Sequence, residues 1–101
     1  MSYPNLSSYV LHTASPFPSK VPKDENEIIL PAVNGTINVL RACKKNKVKK
    51  VVVTSSIAAV FTNAPKWKTA FDENDWGNIE NSLPYYKSKI LAERAAWKVF
   101  L

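Results

Sequence analysis

The chain has 101 residues, two glycines, seven prolines, one cysteine, one histidine and a formal net charge of +6. That length allows one small domain, and Gly35 and Gly77 lie too far apart for a glycine-rich phosphate loop, which needs at least two glycines close together. A single His12 and a single Cys43 exclude zinc sites built from those residues, and any internal disulfide.

No apolar run approaches the roughly 20 residues of a membrane helix, and residues 1–20 lack the basic start and long apolar stretch of a signal peptide. The expectation is a soluble, cytoplasmic protein with no membrane partner, in which the Asn5-Leu6-Ser7 and Asn34-Gly35-Thr36 sequons stay idle. The positive charge is local. Arg41, Lys44, Lys45, Lys47, Lys49 and Lys50 fall within ten residues, and the other basic side chains are matched by acidic ones. So short a cluster is a solvated helix end leading into a strand, not a basic face, and no nucleic-acid partner is expected.

Residues 1–7 carry little pattern and are expected to fray. Residues 8–13 form a compact apolar run of strand type, and Pro16, Pro18 and Pro22 then impose a loop. Asp24 and Glu27 have the spacing of a reciprocal helix cap. Ile29, Val33, Ile37 and Leu40 recur at helical spacing, predicting a helix from about Asp24 to Lys45, kinked at Pro31 and Gly35. Its lysine-rich end suits the negative end of a helix dipole.

Residues 48–56 read as a strand. Val51, Val52 and Val53 without alternation suggest one covered on both faces, as in parallel sheets. Residues 57–61 either continue that strand or turn along the sheet edge, and a turn is expected near Asp72–Trp76. Pro84 suits a first helical residue, and Tyr85–Phe100 is rich in helix formers with no breaker. The order strand, helix, strand, loop, helix is a βαβ unit of an α/β protein. Two strands and two helices cannot cover a parallel sheet on both faces, so the chain reads as the middle of a larger one.

Chemistry concentrates at Thr54-Ser55-Ser56, closing the second strand, and at Tyr85-Tyr86-Lys87-Ser88-Lys89, opening the last helix. Ligands of open parallel sheets bind outside the carboxyl ends of strands. Tyr85 and Lys89 are four apart and share a helix face. A free phenol, with a pKa of about 10, exchanges protons poorly at neutral pH, and a nearby ammonium makes it a usable acid or base. A serine hydroxyl can hold a carbonyl oxygen. Ser55 and Ser56 alone could simply end a strand; with Tyr85 and Lys89 in register they read as a site for hydride transfer to a carbonyl, a cofactor supplying the hydride.

Several residues have plainer readings. Tyr86 points about 100° from Tyr85 around the helix and is expected to pack. Trp67, Trp76 and Trp97 are expected to be hydrophobic anchors, Trp97 near Ile90 and Leu101. Asp72 and Asp75 read as turn or capping residues, His12 as a strand-end hydrogen-bonder, and Cys43 as a small core residue.

The sequence resembles the extended short-chain dehydrogenase/reductase family, in its dihydroflavonol reductase and cinnamoyl-CoA reductase-like branch of the NAD-dependent epimerase/dehydratase superfamily. The resemblance runs from about Tyr9 to Leu101 and rests on six blocks in order: residues 10–18 (VLHTASPFP), 31–40 (PAVNGTINVL), 51–56 (VVVTSS), 71–76 (FDENDW), 85–89 (YYKSK) and 92–97 (AERAAW). It implies a partial Rossmann-type parallel sheet over residues 8–101, lacking the Gly-rich first βαβ unit and the C-terminal substrate domain, and hence an internal fragment.

The resemblance further implies an oxidoreductase that reduces an aldehyde or ketone, with a small carbonyl compound as substrate and NADP(H) in preference to NAD(H). Ser56 would hold and polarise the carbonyl, Tyr85 would donate the proton, and Lys89 would bind the nicotinamide ribose and lower the tyrosine pKa. Ala14, Ser15 and Pro16 would border the cofactor, Thr54 and Ser55 would line its nicotinamide side, and Asn34 would support the site through hydrogen bonds. Little activity is expected of the chain alone. Two other readings stand beside this one: a non-catalytic fragment that associates with an intact relative, and a sugar-nucleotide epimerase or dehydratase of the same superfamily.

Overall fold

The computed structural model describes residues 8–100, so the expected fraying of residues 1–7 lies outside the described residues. The elements run β1 (Tyr9–His12), α1 (Asn26–Lys45), β2 (Lys50–Val53), α2 (Ala58–Phe61) and α3 (Pro84–Phe100). β1 and β2 pair in parallel, Tyr9 opposite Lys50 and His12 opposite Val53. Backbone bonds from Lys49 N–H to Ser8 O and from Thr54 N–H to His12 O, both 2.9 Å, extend the ladder at each end.

α1 starts two residues later than its sequence suggests. The reciprocal cap does not form; Asp24 instead closes a local turn, its Oδ1 accepting from Asn26 N–H at 2.9 Å and its backbone oxygen from Glu27 N–H at 3.0 Å. Glu27 stays in the first turn, where a carboxylate suits the dipole. The helix is a single element through Pro31 and Gly35. Its buried stripe is Ile28, Ile29, Ala32, Thr36, Leu40 and Cys43, so Val33 and Ile37 flank the core as half-buried residues. At its end the Asn46 amide donates to Ala42 O at 2.8 Å, and Val48 N–H reaches back to Cys43 O at 3.0 Å. Lys44, Lys45, Lys47, Lys49 and Lys50 are all exposed, as expected of a solvated helix end.

Among the described residues only one face of the sheet is covered, which corrects the expectation drawn from the valine run. Val51 and Val53 face Leu40 of α1 and Ala96 of α3 across a shallow hollow. On the other face Tyr9, Leu11 and Val52 are 66%, 73% and 52% exposed. Unbroken valines record burial on two faces, and the helices of residues 8–100 supply cover for one. The core lies where α1 and α3 pack together over that face, with Leu40, Cys43, Ser88 and Ile90 fully buried. No helix among the described residues is long and apolar enough to cross a membrane.

Residues 57–61 do not continue the strand: Ile57 caps α2, and Ala58–Phe61 form it. Ser56 starts it, its hydroxyl oxygen accepting from Ala58 N–H at 3.1 Å and its carbonyl from Ala59 N–H at 3.0 Å. The chain to α3 is loop, with the expected turn at Asp72–Asp75 closed by Asp75 N–H to Asp72 O and by the Lys68–Asp75 ion pair at 2.8 Å. The tryptophans are not buried anchors: Trp67, Trp76 and Trp97 are 78%, 42% and 57% exposed. Each sits at the rim of its packing beside a polar group. Lys68 lies over the Trp67 ring, Arg94 over the Trp76 ring, and the Trp97 indole points at Glu93.

Gly77 lets this loop close. Its N–H donates to Ala59 O at 2.7 Å, and a Cβ there would stand 2.9 Å from Ala58 O and 3.0 Å from the Ile90 side chain. The Ala58 oxygen is backbone already held by the Thr62 hydroxyl, so it cannot retreat cheaply. Gly77→Ala is therefore expected to destabilise the fold by about 1–3 kcal/mol through overpacking. Thermal melting reads this directly, and an unchanged midpoint would refute the close approach.

Candidate active site

Because β1 and β2 are parallel, the residues that follow each strand emerge at the same end of the sheet. Ala14-Ser15-Pro16 follow β1, and Thr54-Ser55-Ser56 follow β2. α3 passes this end and delivers Lys89 to it. A narrow cleft here is lined by His12, Ala14, Ser15, Thr36, Thr54, Ser55, Lys89 and Glu93. Five residues expected to border a cofactor, Ala14, Ser15, Thr54, Ser55 and Lys89, are thus brought together. Pro16, Ser56 and Tyr85 are not among the lining residues: Pro16 continues the loop, Ser56 follows Ser55, and Tyr85, one helical turn before Lys89, borders a separate hollow with Pro18, Val21 and Leu83.

Tyr85 is half-buried in the first turn of α3. Its ring meets Phe17 edge-on at 5.0 Å and Tyr86 at 6.1 Å, and the Lys89 ammonium lies 5.7 Å from its centre. The fully buried Ser88 hydroxyl donates to Tyr85 O at 2.6 Å, fixing that turn. Tyr86 is 39% exposed and contributes an aromatic edge and little burial.

Lys89 is 8% exposed, and among the described residues it forms no ion pair; the pairs present are Lys68–Asp75 and Lys87–Glu25. Burial holds its ammonium below the ordinary lysine value of 10.5. His12 is held below its ordinary 6.5, first by burial and then by the Lys89 charge, so it is neutral at neutral pH. Its backbone oxygen accepts from Thr54 N–H, a bond of the parallel ladder.

The two serines have different work. Ser56 accepts from Ala58 N–H, which leaves its hydroxyl proton to donate elsewhere, the need of a group that holds a carbonyl oxygen. Ser55 is turned toward α3, where its hydroxyl donates to Glu93 Oε2 at 2.6 Å. Glu93 went unnoticed in the sequence, although its place four residues after Lys89 puts it on the Tyr85–Lys89 face. Thr36 was also missed. Asn34, the supporting residue suggested by resemblance, is exposed and outside the cleft, whereas Thr36 is buried and lines it.

Residues 5–99 match the 3-beta hydroxysteroid dehydrogenase/isomerase family. The chain is 39% identical over 99 residues to a bifunctional dihydroflavonol 4-reductase/flavanone 4-reductase of Malus domestica, covering 90% of this chain and 28% of that protein. It is 45% identical over 96 residues to a cinnamoyl-CoA reductase of Medicago truncatula, covering 88% and 29%.

Among solved structures, Gre2 of Candida albicans in complex with NADPH superposes with a TM-score of 0.78 at 34% identity, over 95% of this chain and 32% of that one. The yeast methylglyoxal/isovaleraldehyde reductase Gre2 complexed with NADPH gives 0.76 at 38% identity, over 94% and 31%. The chain thus spans under a third of the length of these relatives. Its two-strand parallel sheet and helices are a portion of their Rossmann-type fold. The chain belongs to the 3-beta hydroxysteroid dehydrogenase/isomerase family, within the extended short-chain dehydrogenase/reductases.

Proposed function

We propose that these residues are the reacting part of an NADPH-dependent reductase of small aldehydes or ketones. The observation that carries this is Lys89: a largely buried side chain whose ammonium has no ion-pair partner among the described residues, one helical turn from Tyr85, at the carboxyl ends of two parallel strands. Burying an unpaired cation is unfavourable, and such a group is retained where something else uses it. Its three donors fit ribose hydroxyls, and the polar groups of Ser15 and Thr54 beside it suit the same occupant, while the Ser55 hydroxyl is turned to Glu93. When bound, NADPH supplies the hydride.

The protein's own steps are proton steps. Ser56 donates a hydrogen bond to the carbonyl oxygen and polarises it. As the carbonyl carbon gains the hydride, negative charge grows on that oxygen, and the Tyr85 phenol delivers a proton to it, giving the alcohol. Lys89 then stabilises the charge left on the phenol oxygen. Ala14, Ser15 and Pro16 confine the cofactor at the end of β1.

NADPH is favoured over NADH by the complexes named above, and reduction over sugar-nucleotide epimerisation by the reductase activities named for the curated relatives. The test is consumption of NADPH by the purified protein that carries this sequence, against small aldehydes and ketones, with NADH in parallel. Saturable oxidation that requires the carbonyl supports the proposal; none with any carbonyl counts against it.

A second reading rests on the open sheet face, where Tyr9, Leu11 and Val52 are more than half exposed. Such a face with free strand edges would let the chain dock on an intact relative instead of reacting itself. Sedimentation decides: association supports docking, and a monodisperse, cooperatively melting monomer opposes it.

A further inference from the structure

We propose that Glu93 is a positioning residue of this site, tying the end of β2 to α3 and itself held away from Lys89 by Ser55. The inference rests on the reductase reading, because it concerns how Ser56, Tyr85 and Lys89 are kept in register and ready for cofactor.

Ser56 belongs to the segment after β2, whereas Tyr85 and Lys89 belong to α3. Their relative placement therefore depends on what joins the two elements. The backbone joins Thr54 to β1, and Ser56 is committed to α2. Among the described residues, the side-chain hydrogen bond from residues 54–56 to α3 is Ser55 Oγ to Glu93 Oε2, at 2.6 Å. It is short because the acceptor is a carboxylate, which also makes it stronger than a neutral pair. The other carboxylate oxygen accepts a long contact from the Trp97 indole at 3.4 Å. Glu93 is thus drawn toward β2 and toward the next turn of its own helix, away from Lys89.

That second consequence is electrostatic. Tyr85, Lys89, Glu93 and Trp97 follow one another at four-residue intervals, so the Lys89 and Glu93 side chains are neighbours on one face. Opposite charges at that spacing ordinarily pair, yet no ion pair forms here. With the Ser55 hydroxyl removed, the carboxylate loses its charge-assisted donor and keeps only the long Trp97 contact, and Lys89 is the cation one helical turn earlier on the same face. Pairing would occupy the ammonium that the reductase reading assigns to ribose hydroxyls. Ser55 and Glu93 therefore act together: one holds the strand end in place, and the hold keeps Lys89 available.

The test uses Ser55→Ala, Glu93→Gln, Glu93→Ala and the Ser55→Ala/Glu93→Gln double variant of the purified protein that carries this sequence, with NADPH affinity and kcat as readouts. Ser55→Ala is expected to weaken NADPH binding about tenfold, the scale of one charge-assisted hydrogen bond. Adding Glu93→Gln, which removes the competing charge, is expected to bring affinity back to within about threefold of the unsubstituted protein. Glu93→Ala should lower kcat about tenfold, and Glu93→Gln, which keeps an acceptor for Ser55, should restore most of it.

A direct contact of Ser55 with cofactor would give no rescue in the double variant, and that result overturns the inference. So does a Glu93→Ala protein with unchanged kcat; where that variant does not fold, the rescue decides alone. A protein that binds NADPH but reduces no carbonyl defeats the functional reading and leaves the affinity rescue to decide this one. A protein that does neither overturns both.

Discussion

Replacing Tyr85 by phenylalanine is expected to lower carbonyl reduction by roughly 100-fold or more while leaving the fold and NADPH affinity nearly unchanged, since a positioned general acid contributes about 10²–10⁴. The substitution removes one oxygen. The ring stays in its edge-on contact with Phe17, and the Ser88 bond to the Tyr85 carbonyl does not involve the side chain. The loss therefore falls on the proton that reaches the new alkoxide. Steady-state kinetics with matched melting curves check it. Full activity without the hydroxyl would remove Tyr85 from the mechanism and leave Ser56 or water as the donor.

Lys89→Met is expected to separate function from stability. Turnover should fall by at least about tenfold, with the loss of ribose contacts appearing as weaker NADPH binding. The folded state should nevertheless lose nothing. Lys and Met have similar helix propensity, so that term cancels. The variant forfeits the cation–ring contact with Tyr85, about 0.5–1 kcal/mol, and is relieved of the desolvation that lowers the Lys89 pKa. The expected result is a melting midpoint no lower than that of the unsubstituted protein.

The pH dependence gives an independent check. Burial places the Lys89 pKa below 10.5 in the folded chain, so at pH below that folded value both states are protonated and the folded state bears the penalty. As pH rises through the folded value toward 10.5, the folded state releases its proton first, the unfolded state binds more protons, and stability rises. The advantage of Lys89→Met should therefore shrink in the alkaline range. A variant that melts lower at every pH would contradict the unpaired, desolvated ammonium.

The elements with a strong local cause were legible in the sequence. Pro84 opens α3 because its missing N–H is harmless there, Pro16, Pro18 and Pro22 hold a loop, and the three valines are a strand of a parallel sheet. Tyr85 and Lys89 could be paired from spacing alone. What was misread depended on neighbours. The valine run carries the same residues whether its second face is covered or not. The turn from strand to α2 is held by both oxygens of Ser56, which accept from the N–H groups of Ala58 and Ala59, and Ser, Ile and Ala alone do not reveal it. Asp24 and Glu27 have cap spacing, but the loop leading in lets Asp24 close an earlier turn. Glu93 was hidden because a glutamate in a Lys- and Ala-rich helix reads as solvated surface, until Ser55 from another element is seen to meet it.

The central claim is that hydride reaches a carbonyl carbon at this site while Tyr85 supplies the proton. NADPH deuterated at both C4 positions, incubated with a small aldehyde or ketone and the purified protein that carries this sequence, tests it most directly. The expected result is one deuterium on the carbinol carbon of the product, detected by mass spectrometry, and its disappearance in Tyr85→Phe. An alcohol without deuterium, no alcohol at all, or undiminished label in Tyr85→Phe would contradict it.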